Sequence, residues 1–205
     1  GLVTSYSYGN HGRTKTLVGP GAVTNVTELY MDGRIKSVSG NGVTLQCYDY
    51  GVNDDGSQWT VTYTGLAGTN SPAWTKTTVD LLGRTIRDER PAFSVSSVQS
   101  VVTNSFFYKP NGQLGRTITS GMADTLNVYN ELGEPIRSGL DINGNGTLDL
   151  ASMDRIQESD SVYQEFGGDW FRVNASALYA LDNSSVPTTN SIQKTQLTGL
   201  GSSSD

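Results

Sequence analysis

The sequence predicts an all-β protein made of consecutive antiparallel β-hairpins, and three observations lead there. The 205 residues include 24 glycines, ten tyrosines and three tryptophans among abundant Thr, Ser, Val and Asn, a vocabulary of strands and tight turns. No long segment repeats its apolar residues at helical spacing. Short alternating runs are instead punctuated by a phrase that recurs along the chain.

The phrase is an aromatic residue, three further residues, then Gly followed by Arg or another polar residue. It opens at Tyr8-Gly9-Asn10-His11-Gly12-Arg13 and returns at Val79-Asp80-Leu81-Leu82-Gly83-Arg84, with Val in the aromatic position. Tyr108-Lys109-Pro110-Asn111-Gly112-Gln113 and Tyr129-Asn130-Glu131-Leu132-Gly133-Glu134 repeat it. Tyr30-Met31-Asp32-Gly33-Arg34 is one residue shorter, and Asp54-Asp55-Gly56 is a degenerate copy. Successive glycines of the phrase stand 21 to 29 residues apart, room for two strands and a turn.

Each part of the phrase has a physical task. Tyrosine ends a strand with its ring on the sheet. Asp or Asn caps the turn through its side chain, and Gly supplies the positive φ the turn needs. Arg opens the return strand with its stem over apolar surface. Alternation follows in Arg34-Ile35-Lys36-Ser37-Val38 and Arg84-Thr85-Ile86-Arg87, and Gly40-Asn41-Gly42 turns the chain into the next strand. One such hairpin cannot bury its own apolar face, so neighbouring hairpins must stack.

Repeated in this way over residues 5 to 160, Tyr-(Asp/Asn)-x-x-Gly-Arg resembles the Rhs/YD-repeat proteins: bacterial Rhs toxins, the shell component of insecticidal toxin complexes, and teneurins. The resemblance implies a curved sheet forming part of a YD-type shell or barrel, in a larger secreted or cell-surface protein. Its partners would be the rest of a longer chain or neighbouring protomers, and a shell of this kind can enclose a payload such as a toxin. The expected organisation is hairpin repeats over 1–157, a further β-rich segment over 158–200 and a flexible end at 201–205, with about ten to fourteen strands in all.

Composition excludes several function classes. The formal charge is −6, with 14 basic and 20 acidic residues dispersed along the chain, so no basic stripe suggests a nucleic-acid partner. No apolar run approaches the roughly 18 residues of a membrane span, and no signal peptide is visible. Gly1 opens strand-like text, the expected start of an internal fragment or a processed product. Cys47, the one cysteine, reads as a small buried hydrophobe, with a reactive thiol as the alternative.

Asp141-Ile142-Asn143-Gly144-Asn145-Gly146-Thr147-Leu148-Asp149 is the most distinctive chemistry. Oxygen side chains fall at positions 1, 3, 5 and 9, with Gly at position 6, as in the first nine positions of a calcium loop. Asp141, Asn143, Asn145 and Asp149 are candidate side-chain ligands and Thr147 a candidate carbonyl ligand for Ca2+. Position 12 is Ser152 where a carboxylate is expected, and the next carboxylate, Asp154, is the remaining candidate ligand. Weak affinity, on the order of 10⁻⁴–10⁻³ M, would suit so few charges. The competing reading is an Asn-Gly turn satisfied by its own side chains. Asp49, Asn53, Asp54 and Asp55 form a second acidic cluster without ligand spacing, read chiefly as a solvated turn.

Catalysis is not expected. His11, the single histidine, sits in a turn phrase, no Gly-x-Ser-x-Gly elbow is present, and one Cys with one His cannot make a zinc site. Asp80 with Glu89, or Glu158 with Asp160, are the carboxylate pairs a polysaccharide-acting enzyme would need. A carbohydrate- or partner-binding module is the stronger alternative, through Trp59, Trp74 and Trp170. Trp59 also shares strand parity with Val61 and Tyr63, which favours packing. Asn25, Asn145, Asn174 and Asn183 head glycosylation sequons, relevant only in a eukaryotic secretory host.

The phrase stops near residue 158. Tyr163 to Val173 reads as two aromatic strands around Gly167-Gly168-Asp169, Ala177 to Leu181 as a further strand, and Ser184 to Thr198 as polar text broken by Pro187.

Overall fold

The computed structural model describes residues 3–65, 68, 71–92 and 100–197. The expected flexible end at 201–205 lies outside the described residues. The chain is all-β, with strands β1 (Ser5–Gly9), β2 (Thr14–Val18), β3 (Thr24–Leu29), β4 (Ile35–Ser39), β5 (Gln46–Val52), β6 (Gln58–Thr64), β7 (Ala73–Val79) and β8 (Thr85–Pro91). There follow β9 (Val101–Tyr108), β10 (Leu114–Thr119), β11 (Asp124–Tyr129), β12 (Pro135–Asp141), β13 (Arg155–Phe166), β14 (Asp169–Tyr179) and β15 (Thr189–Gln196).

They form one antiparallel sheet in chain order from β1 to β15. Each strand thus pairs with its sequence neighbours, as consecutive hairpins require. β1 and β15 do not pair with one another, so the sheet is not closed into a barrel. Two compact units divide at Ser105/Phe106.

Five turns share one geometry. In the turn of Tyr30 to Arg34, Tyr30 N–H donates to Arg34 O at 2.8 Å and Gly33 N–H to Tyr30 O at 3.1 Å. The same two bonds close Asn53–Ser57, Asp80–Arg84, Lys109–Gln113 and Asn130–Glu134, at 2.8 to 3.0 Å. The glycine in each, Gly33, Gly56, Gly83, Gly112 or Gly133, has φ between +77° and +87°. This is a three-residue loop whose last residue makes a left-handed bulge, and it shifts the register beside the turn in β3–β4, β7–β8 and β11–β12.

The degenerate copy at Gly56 is therefore a full member, whereas the Gly12 copy is not. There Gly9 pairs with Thr14, and Asn10, His11 and Gly12 all take left-handed φ, giving a longer loop. His11 is exposed, as a turn residue should be.

Buried apolar side chains are few among the described residues. In residues 1–105 they are Val61 and Tyr63, on one parity of β6. In residues 106–205, Leu126, Leu148, Ile156 and Tyr179 make a cluster flanked by Leu150 and Ala177, with Ile156 fully enclosed, and Val173 is buried outside that cluster. Leu148 lies in the β12–β13 loop, which ties that loop to the core.

Residues 177–179 continue β14 instead of beginning another strand. β15 lies in the polar text of residues 184–198, within the segment expected to be β-rich. An edge strand exposed on both faces has no need of apolar alternation, so its sequence carries little strand signal.

Candidate functional site: the β12–β13 loop and its surroundings

β12 ends at Asp141 and β13 begins at Arg155, so the candidate calcium loop fills the connection between two paired strands. Both end carboxylates are buried, Asp141 and Asp154 each at 3% exposure. The Asp141 carboxylate accepts Gly144 N–H at 2.8 Å and Asn145 N–H at 3.2 Å on Oδ1, and Gly146 N–H at 2.7 Å on Oδ2. Asp154 accepts Ile142 N–H at 2.9 Å on Oδ1 and Asp149 N–H at 3.0 Å on Oδ2. One aspartate thus gathers the loop's first half and the other ties its two ends together.

Burial alone would raise the Asp154 carboxyl, but donation from the N–H groups of Asp149 and Ile142 holds it below its ordinary value. Ser152 Oγ itself donates to Asp149 O at 2.7 Å and accepts Asp154 N–H at 3.0 Å.

The middle of the loop is equally self-satisfied. Asn143 Oδ1 accepts Asn145 N–H, and Asn145 Oδ1 accepts Thr147 N–H and its hydroxyl. Asp149 Oδ2 accepts Asn145 Nδ2 at 2.7 Å and Thr147 Oγ1 at 3.0 Å. The structure brings Asp141, Asn143, Asn145, Thr147, Asp149 and Asp154 into one connection, all of them hydrogen-bonded within it. Among the described residues, no three His, Cys, Asp or Glu side chains converge as a metal-holding group. The donor set consists of hard oxygens, which suits calcium better than softer metals.

Beneath the loop lies a charged brace. Arg137 Nη2 donates to Glu158 Oε1 at 2.6 Å, Tyr179 Oη donates to Glu158 Oε2 at 3.0 Å, and Arg137 Nη1 reaches Leu148 O at 3.3 Å. The Arg137 hydrogen bond outweighs burial and, with Tyr179, holds the Glu158 carboxyl below its ordinary value. Tyr179 rises for the reciprocal reason.

Several of the other candidate carboxylates are likewise engaged in structure. Asp80 pairs with Arg84 at 2.7 Å and Glu89 with Arg87 at 2.9 Å. Asp49 accepts Tyr30 Oη, while Asn53 and Asp55 close the turn onto Ser57. Cys47 is half-buried and unpaired by disulfide.

Trp59 lies against the opposing Gly51, where an added Cβ would sit 2.2 Å from the indole, and the Lys76 ammonium stands 5.0 Å from its ring centroid. Trp74 is half-buried opposite Tyr63, and Trp170 is 43% exposed.

No family model matches this chain, and neither does any curated protein. No helix among the described residues is long and apolar enough to cross a membrane.

Proposed function

We propose that this chain is a non-catalytic, architectural run of β-hairpin repeats in a larger secreted or surface protein of the Rhs/YD type. The observation that carries the reading is the fivefold turn. Its closing hydrogen bonds and left-handed glycine recur at Gly33, Gly56, Gly83, Gly112 and Gly133, so the sequence phrase encodes a repeated building unit. The engagement of Asp80 by Arg84, Glu89 by Arg87, and Glu158 by Arg137 and Tyr179 supports a structural role for these carboxylates. Such a wall would enclose a payload or present a surface.

Within it, the β12–β13 loop serves as a calcium clasp of low affinity. Asp141, Asn143, Asn145, Asp149 and the Thr147 carbonyl would hold the ion, while Asp154 ties the loop ends. Calcium would trade the loop's internal hydrogen bonds for hard oxygen coordination and so stiffen the link between β12 and β13. At 5 mM calcium, a rise in Tm and slower proteolysis between residues 141 and 154 are expected. No change in either quantity would remove calcium from the proposal.

The architectural reading is tested by the intact mass and flanking sequence of the protein from its source. A chain far longer than 205 residues, with further Tyr-x-x-x-Gly phrases on both sides, is the expected result. A mature chain ending near these termini would overturn it.

A further inference from the structure

The last three strands carry a surface unlike the rest of the chain. In register, Ser159 stands beside Ser176 and Ser191, Ser161 beside Asn174 and Gln193, and Tyr163 beside Arg172 and Thr195. Register partners share a face, and contacts bear this out. Ser176 Oγ meets Ser191 Oγ at 2.5 Å, and Arg172 Nε donates to Ser161 Oγ at 2.9 Å. Together with the start of β12 near Glu134 and Ile136, Ser159, Ser161, Arg172, Asn174, Ser176, Ser191 and Gln193 of this face line a groove of about 460 Å³, within the size range of small-ligand sites; Tyr163 stands beyond its edge.

The same face ends in two exposed rings. Trp170 pairs with Glu165, one step beyond Tyr163 and Arg172 on the same parity. Tyr163 is 64% and Trp170 43% exposed. Diagonal neighbours of this kind lie roughly 7–8 Å apart. On the opposite face Phe166 packs edge-on against Phe171 at 5.6 Å, with Lys194 over its ring. The two aromatic pairs are thus sorted, one into packing and the other into solvent.

We propose that this face binds a neutral oligosaccharide, with Tyr163 and Trp170 as stacking platforms and Ser161, Asn174 and Gln193 as hydrogen-bonding groups. Amides and hydroxyls donate and accept at once, as a hydroxyl-rich ligand does. Flat rings beside them suit the apolar faces of sugar rings. The lining offers one cation, Arg172, against two acids, Glu134 and Asp160, and the chain carries a net charge of −6. A polyanion therefore meets a lining with more negative than positive charge, and an apolar peptide finds Pro135, Ile136 and Ala175 as its apolar contacts there.

The test is affinity electrophoresis of the full chain, produced in bacteria so that Asn174 carries no attached glycan. Native gels would contain hydroxyethylcellulose, xylan or galactomannan, with heparin and polygalacturonate as anionic counterparts. Retardation by at least one neutral polymer is expected. Tyr163→Ala and Trp170→Ala should each weaken it by about tenfold, equivalent to about 1.4 kcal/mol, and Asn174→Ala should weaken it too. Both rings are exposed, so these variants should fold, which an unchanged circular dichroism spectrum would verify. Trp59→Phe should leave retardation unchanged. Free migration in every neutral gel, retardation only in anionic gels, or neutral-gel binding indifferent to Tyr163→Ala and Trp170→Ala would overturn the proposal.

Discussion

At each of the five shared turns, one Asx oxygen accepts the N–H of the residue after the glycine. Asp32, Asp55 and Asn111 do so from two positions before that residue, and Asp80 and Asn130 from four before. The side chain after the glycine then completes the match. Arg34 and Arg84 donate to aspartates, Ser57 donates to Asp55, and Gln113 and Glu134 accept from asparagines. Arg in the phrase is thus also the aspartate's donor partner, beyond the apolar contact expected of its stem. Asn130→Asp should set a carboxylate against Glu134 and lower the urea midpoint by an amount equivalent to about 0.5–1 kcal/mol. Adding Glu134→Arg should restore it by recreating the Asp80–Arg84 pair. Urea melts of both single variants and the double variant would measure the coupling, and additive losses would refute the matching. Acid should act through Asp154 and Glu158. Both carboxyls are depressed in the folded chain, so their stabilisation is full above the ordinary values, 3.8 for Asp154 and 4.5 for Glu158. It declines as pH falls from there through the lower folded values. Asp154→Asn should flatten the fall in Tm across that window.

Among elements, the hairpins and the Gly-Gly turn between β13 and β14 were legible in the sequence because turn chemistry is local. The offset of Tyr30 was misleading: it occupies the closing position of its turn, whereas Tyr108 and Tyr129 stand one residue earlier. Only the hydrogen bonds show that the turn itself is unchanged. Long-range fits were not legible at all. Nothing near Gly51 in the chain announces that Trp59 lies over it, and nothing near Gly139 announces that β13 passes so close. The sorting of Tyr163 and Trp170 to one face likewise depends on register across β13 and β14, which no single strand reveals. These two glycines should respond differently to alanine. At Gly139 a Cβ would lie 2.3 Å from Arg155 O and 3.0 Å from Ile156 Cα. Backbone cannot step aside without parting β12 from β13, so Gly139→Ala should cost about 1–3 kcal/mol. At Gly51 the obstacle is a side chain, so Gly51→Ala should cost little extra once Trp59→Ala has removed the ring. A double-mutant cycle in urea would show this as strong coupling, and additive losses would mean that the indole does not rest on Gly51.

For the whole molecule the open strand order is the governing fact. Among the described residues β1 and β15 each have one strand neighbour, so each presents a row of backbone donors and acceptors without a strand partner there. Such edges template further strand pairing unless charge or shape prevents it. β15 carries one charged residue, Lys194, and its Ile192 is 67% exposed; β1 carries no charge, with Tyr6 and Tyr8 exposed at 55% and 68%. In an architectural segment these edges would be covered by adjoining hairpins or by a neighbouring protomer. The 205-residue chain in isolation should therefore associate as its concentration rises, which sedimentation velocity would detect as growing species. Ile192→Lys places a second charge on the β15 edge and should suppress that association while leaving Tm nearly unchanged, because the residue is largely in solvent. It also lies on the face opposite Asn174 and Gln193, since Ile192 pairs with Ala175, so glycan retardation should survive the substitution. Undiminished association of the Ile192→Lys variant would mean that the β15 edge is not the route by which copies meet.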